Sequence, residues 1–167
     1  HEFVAISSAD AGDFDTAWEH AIRAQHAGYD MSQWFETLRE STAPPADLEE
    51  RLTAPRLYVG GAVVPDPEAQ AVLDAVGRGV RLAISESRRF ALVIEPELAD
   101  YFVRLQINEV ETDGRGKVRG SIELLEPGEE DPIYDEGLSL DDAFDDDGTA
   151  ATFAGQLGKL ADWLERR

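Results

Sequence analysis

The tightest constraint on the fold is a stretch of strict alternation. Tyr101, Val103, Leu105 and Ile107 take turns with Phe102, Arg104, Gln106 and Asn108. Beyond Asp113-Gly114-Arg115-Gly116, the residues Val118, Gly120, Ile122 and Leu124 take turns with Lys117, Arg119, Ser121 and Glu123. Successive side chains of a strand point to opposite faces, so this period marks a sheet with one apolar and one wetter face. Two such runs joined by a glycine-containing turn predict an antiparallel hairpin. The apolar face needs cover, and the sequence holds two candidates for it. Between Glu68 and Ser87, Ala69, Val72, Leu73, Val76, Val80, Ala83 and Ile84 share one helical stripe. From Thr149 to about Arg166, Ala150, Phe153, Ala154, Leu157, Leu160, Ala161 and Leu164 share another. Gly77 and Gly79 weaken the first of these helices by about 1 kcal/mol each relative to alanine, and close packing against the sheet is the expected compensation.

Three more strands are expected. Arg56 to Val64 is one, with Gly60-Gly61 at a bend; Arg89 to Ile94, ahead of Pro96, is the second; Pro132 to Leu140 is an edge strand. The beginning of the chain has a different period. Phe14, Ala17, Trp18, Ala21, Ile22 and Ala24 predict a helix capped by Asp13 or Asp15 and ended by Gly28. Met31, Trp34, Phe35 and Leu38 predict a second helix, with Asp30 and Gln33 placed as a capping box. Pro44-Pro45 closes this helical hairpin, since proline lacks a donor and forces its predecessor out of the α region. Asp47 to Leu52 adds one helical turn. The expected organisation is a helical hairpin over 1–45 and a sheet domain over 46–167. Its class is α+β, a mainly antiparallel sheet packed by two amphipathic helices, rather than a doubly wound nucleotide fold.

Charge excludes one class of ligand. Thirty-five acidic residues face 15 basic ones, for a net charge of -20, so the clustered Lys and Arg that phosphate binding needs are missing and nucleic acid is not an expected ligand. Cysteine is absent, which removes thiol chemistry, disulfides and Cys-based zinc sites from these residues. No apolar run approaches the roughly 18 to 20 residues of a membrane span. His1-Glu2-Phe3 lacks the basic-then-apolar pattern of a signal peptide, a start equally expected of a secreted or lipid-anchored chain whose leader lies outside these residues.

The motifs of common chemistries fail one by one. Gly60-Gly61 lies between a strand and a helix, as phosphate loops do, but Ala62-Val63-Val64-Pro65 follows instead of Gly-Lys-Ser or Gly-Lys-Thr. Gly77-Arg78-Gly79 begins a dinucleotide fingerprint inside a helix, and Leu82 stands where the third small residue belongs. His20 and His26 are six apart, not the three or four that bring two imidazoles together, and both read as surface residues. No Gly-x-Ser-x-Gly elbow occurs. Catalytic, cofactor and metal-ligating residues are therefore not expected. Between Gly120 and Gly158 stand twelve acidic residues and no Lys or Arg. Aligned as a calcium loop on Gly148, Asp145 and Asp147 fit, but Ala143 and Ala154 fill the first and twelfth positions, so the EF-hand fails. A weak irregular cation site and a solvated loop whose charges favour the following helix's dipole both remain open. Asp141, Asp142, Asp145, Asp146 and Asp147 form the candidate acidic partner surface.

From Arg56 onward the order of elements resembles the small α/β domain of the curli-secretion lipoprotein family, shared by the TolB amino-terminal domain and peptidoglycan-synthase activator lipoproteins. The residues that carry the resemblance are the strand Leu57 to Val64, the run Ala83-Ile84-Ser85-Glu86-Ser87-Arg88-Arg89-Phe90 that leads a helix into a strand, and Ala99-Asp100-Tyr101-Phe102-Val103. The lipidated cysteine of that family is missing, the hairpin before Pro44 lies outside its common domain, and the chain after Gly128 is unusually acidic. The resemblance implies a non-enzymatic envelope protein, periplasmic or associated with the outer membrane, that binds other proteins or itself. The competing expectation is an acidic cytoplasmic antagonist that mimics nucleic acid, with an undetected hydrolase third.

Overall fold

In the computed structural model, which describes residues 9, 12–61, 66–112 and 115–167, a helix, α1, runs Phe14–His26. It starts where the sequence provides a cap: the Asp13 carboxylate accepts the Thr16 N–H at 3.2 Å. The next helix, α2, spans Ser32–Ser41 and begins differently from expectation. Asp30 accepts both the Ser32 N–H at 3.1 Å and its hydroxyl at 2.6 Å, so a local turn replaces the capping box and Met31 is left free to be buried. A one-turn helix, α3, follows at Leu48–Leu52. Trp18 stacks on Phe35 with ring centroids 5.8 Å apart, and Ile22, Met31, Leu38 and Leu48 close around them as a first core. Leu48, beyond the proline pair, belongs to that core.

The sheet has five strands: β1 at Arg56–Val59, β2 at Ala91–Val93, β3 at Tyr101–Glu111, β4 at Lys117–Leu125 and β5 at Tyr134–Leu140, in the order β2-β1-β3-β4-β5. β3 and β4 form the antiparallel hairpin that the alternation predicts, with Leu105 opposite Ile122, and β5 extends it antiparallel. The fold is α+β with a mostly antiparallel sheet. Its remaining part was not anticipated: β1 runs parallel to both β2 and β3. A long helix, α4 at Pro67–Glu86, carries the chain back to the end of the sheet at which β1 began, and a strand entered from there must be parallel.

Two strands are shorter than expected. β1 ends at Val59, although the Gly60 N–H still donates to the Val103 carbonyl at 3.1 Å; Gly60 and Gly61 lie outside the strand, and the expected continuation through Ala62, Val63 and Val64 lies outside the described residues, as do Asp113 and Gly114 of the hairpin turn and His1. β2 keeps three residues of the Arg89 to Ile94 run, and a 3-10 turn at Pro96–Leu98 follows.

The last helix, α5, spans Asp146–Leu164. With α4 it covers the apolar face: Leu57, Val59, Val103, Leu105, Val118 and Leu124 meet Val72, Val76, Val80, Ile84, Phe153 and Leu160 in a second core. Leu73 is buried but stands outside this cluster, and Ala154 is exposed. Of the two glycines of α4, Gly79 serves a different contact from the one expected, and Gly77 meets only Arg81 of its own helix. A Cβ at Gly79 would lie 2.8 Å from the Thr149 Cβ, so Gly79 lets α4 approach α5 rather than the sheet. In β4, Gly120 faces the Gln106 carbonyl beside the β3 bulge, where no Cβ fits.

Candidate functional site

The two edges of the sheet are treated differently. On β5, Gln156 of α5 donates to the Gly137 carbonyl at 2.8 Å, Lys159 pairs with Glu136 at 2.5 Å, and Asp135 and Glu136 put charge on the strand. Natural sheets guard edges by such covers and charges, because an open row of amides and carbonyls invites pairing with another chain. Among the described residues, β2 has no such cap on its backbone and no charge along its strand. Ala91, Leu92, Val93 and Ile94 are uncharged, and Ile94 is 82% exposed. The Ala91 N–H donates to the Pro55 carbonyl at 3.0 Å, toward β1. Backbone groups alternate sides along a strand, so the N–H and C=O of Leu92 point outward, where they have no hydrogen-bond partner among the described residues.

This edge opens into a cleft of about 270 Å³ between the two cores. Ile22, Arg23 and His26 of α1, with Ala27 just beyond it, form one wall, and Ile84 and Ser85 at the end of α4, with Ser87 and Arg88, form the other. Ala91 and Val93 share a sheet face with Arg56 and Tyr58, opposite to Leu57, and both are buried where α1 contacts β2. The cleft is apolar within and charged at its rim. Arg51 makes a two-pronged contact to Glu19 at 2.8 and 2.7 Å, fastening α3 to α1, and this guanidinium holds the Glu19 carboxyl below its ordinary pKa. Arg88 pairs with Asp47 at 3.0 Å and stays 75% exposed. Arg23 is exposed and makes no ion pair among the described residues. Three guanidinium groups thus meet two carboxylates, a local positive excess in a chain of net charge -20.

His26 corrects the surface reading of the histidines: it is buried, while His20 is half-buried. Burial pushes the His26 imidazole below its ordinary pKa, against the pull of the Arg51 and Leu52 carbonyls, and the Arg56 and Arg51 charges add to the lowering. Its Nε2 is buried with no hydrogen-bond partner among the described residues.

Of the five candidate aspartates, Asp141, Asp142 and Asp145 lie along the loop that enters α5 and Asp146 and Asp147 begin the helix. Asp145 caps the helix by accepting the Gly148 N–H at 3.1 Å, and Asp142 accepts the Phe144 N–H at 3.2 Å. Asp146 and Asp147 occupy the first turn, where negative charge opposes the helix dipole, and Asp146 lies 3.7 Å from Arg78. Asp141 is exposed. No group of three or more His, Asp or Glu among the described residues is gathered as a metal would require. The acidic tract is also less bare than its sequence. Glu123 pairs with Arg104 at 2.6 Å, Glu126 with Arg167 at 2.9 Å and Glu136 with Lys159, cations drawn from β3 and from the end of the chain.

Sequence reasoning missed the cleft because its walls come from residues near 20, 51, 85 and 92, which only the packing brings together. The one local signal was the uncharged run from Phe90 to Ile94, longer than the strand it feeds. No helix is long and apolar enough to cross a membrane among the described residues. No family model matches the chain, and no curated protein matches its sequence.

Proposed function

We propose that the chain is a non-enzymatic protein-binding domain, an accessory or assembly component of the cell envelope, and that it engages its partner at the β2 edge. The carrying observation is the contrast between the edges: one is capped and charged, while the other presents the open backbone of Leu92 and the exposed side chain of Ile94 beside an apolar cleft. The element order from Leu57 to Leu164, which resembles envelope lipoprotein domains, supports the compartment. The cleft, at about 270 Å³, is smaller than the roughly 300 to 1,000 Å³ of small-molecule pockets, which favours a protein fragment as occupant.

The test is photo-crosslinking in cells that make the protein, with a benzophenone amino acid at Ile94 or, as control, at exposed Thr152 on α5. A discrete protein adduct from position 94 alone, recovered in the envelope fraction, is the expected result. Equal labelling at both positions, or none, refutes the edge as a binding surface. Recovery only of DNA-binding proteins, lost on neutralising Asp141, Asp142, Asp145, Asp146 and Asp147, supports the nucleic-acid mimic instead.

A further inference from the structure

We infer that the occupant of the cleft is an extended, acidic peptide segment of a partner protein, which adds to β2 as a sixth strand and lays its alternate apolar side chains between α1 and the end of α4. This rests on the protein-binding reading above and names the ligand class for the same edge.

Backbone geometry fixes the mode. Leu92 offers one outward N–H and one outward C=O, and an added strand satisfies both at the usual spacing of about 4.8 Å, which a helix or a globular surface does not. Side chains of such a strand alternate, so every second one enters the cleft lined by Ile22, Ile84, Leu92 and Ile94, while the others face the rim.

Charge fixes the composition. A basic peptide gains nothing at a rim where Arg23, Arg51 and Arg88 outnumber Glu19 and Asp47. An acidic peptide is repelled by most of a molecule of net charge -20 and finds its cations here, with Arg23 free of any ion pair among the described residues. The same argument disfavours a second copy: pairing β2 with β2 would bring the two arginine rims together while joining two chains of net charge -20.

The experiment uses the purified chain and three fluorescent decapeptides: alternating Val-Glu, alternating Val-Lys, and Val-Glu with N-methyl groups along one backbone edge. The Val-Glu peptide is expected to bind and to move the Leu92 and Ile94 amide resonances, with Val-Lys at least tenfold weaker and the N-methyl peptide without measurable binding. Arg23→Glu, at an exposed position, is expected to weaken Val-Glu at least tenfold while the amide spectrum stays folded. Equal affinity for Val-Lys, undiminished binding of the N-methyl peptide, or no Val-Glu binding at millimolar concentration overturns the inference. So does concentration-dependent dimerisation that moves the Leu92 amide without peptide. If the position-94 crosslink still captures a partner while the peptides fail, the strand-addition inference falls and the protein-binding reading stands. If that crosslink is also empty, both fall.

Discussion

Gly77 and Gly79 sit two residues apart in α4, and alanine at the two positions should act in opposite directions. Either replacement gains about 1 kcal/mol of helix propensity. At Gly77 the new Cβ meets only the Arg81 guanidinium tip at 3.1 Å, the far end of a flexible side chain that can swing aside, so most of that gain survives. At Gly79 the new Cβ meets Thr149, whose Cβ would be 2.8 Å away. Thr149 is β-branched, 1% exposed and tied by its hydroxyl to the Asp142 carbonyl at 3.4 Å, so it has little room to turn. The helices must instead separate by roughly 1 Å, a gap that forfeits about a quarter to half of each dispersion contact between them. Overpacking of this kind costs about 1 to 3 kcal/mol, which leaves Gly79→Ala neutral to about 2 kcal/mol destabilised. Urea melts at matched conditions should separate the two variants by roughly 1 M in midpoint, for a slope of about 1 to 3 kcal/mol per molar. A Gly79→Ala midpoint as high as that of Gly77→Ala would show that this glycine does not set the distance between α4 and α5.

Three further outcomes are expected. Phe153→Ala, at a site 1% exposed in the second core, should cost about 3 to 5 kcal/mol, and a melt overlaying the parent's would remove Phe153 from the core. His26 is held below its ordinary pKa by burial, so the folded state prefers the neutral ring; its contribution is full above about 6.5 and drains as pH falls toward the folded pKa. The parent should therefore lose more stability between about pH 7.5 and 5.5 than His26→Gln does, and parallel pH profiles would contradict this. Calcium titrated calorimetrically should leave the Asp141 to Asp147 loop without a site tighter than about micromolar, the range of dedicated sensors, and a tighter one would overturn the capping account.

The elements legible in the sequence were those whose signals are local. Asp13 caps α1 because its carboxylate is three residues from the Thr16 amide, and the β3–β4 register follows from a period of two. The parallel placement of β1 was not legible, because parallel pairing joins Leu57 to Leu92 and to Tyr101 through contacts that leave no mark on either segment alone. Gly79 announced a close approach but not its partner, since Thr149 is seventy positions away in the chain. Asp142, Asp145, Asp146 and Asp147 stood out by composition and turned out to be occupied with turn, capping and first-turn roles, whereas the cleft, whose lining is gathered from distant parts of the chain, left only a weak local signal.

That contrast gives the salt dependence of peptide binding an unusual form. The strand order places β5, which carries Asp135 and Glu136, four strand spacings from β2, or about 19 Å. At about 0.01 M salt the Debye length is roughly 30 Å, so the negative field of the whole chain reaches the cleft and opposes an acidic peptide. Near 0.15 M it is about 8 Å, which screens the distant acids while the arginines, at contact distance from a bound carboxylate, still act. Toward 1 M, with a length of about 3 Å, the arginine contacts are screened as well. Affinity for the Val-Glu peptide should therefore rise and then fall along a salt series, with its maximum in the intermediate range. A steady fall from the lowest salt upward would mean that the rim arginines outweigh the net charge throughout. A steady rise would mean that they contribute nothing, and that the cleft selects its ligand by backbone pairing and apolar contact alone.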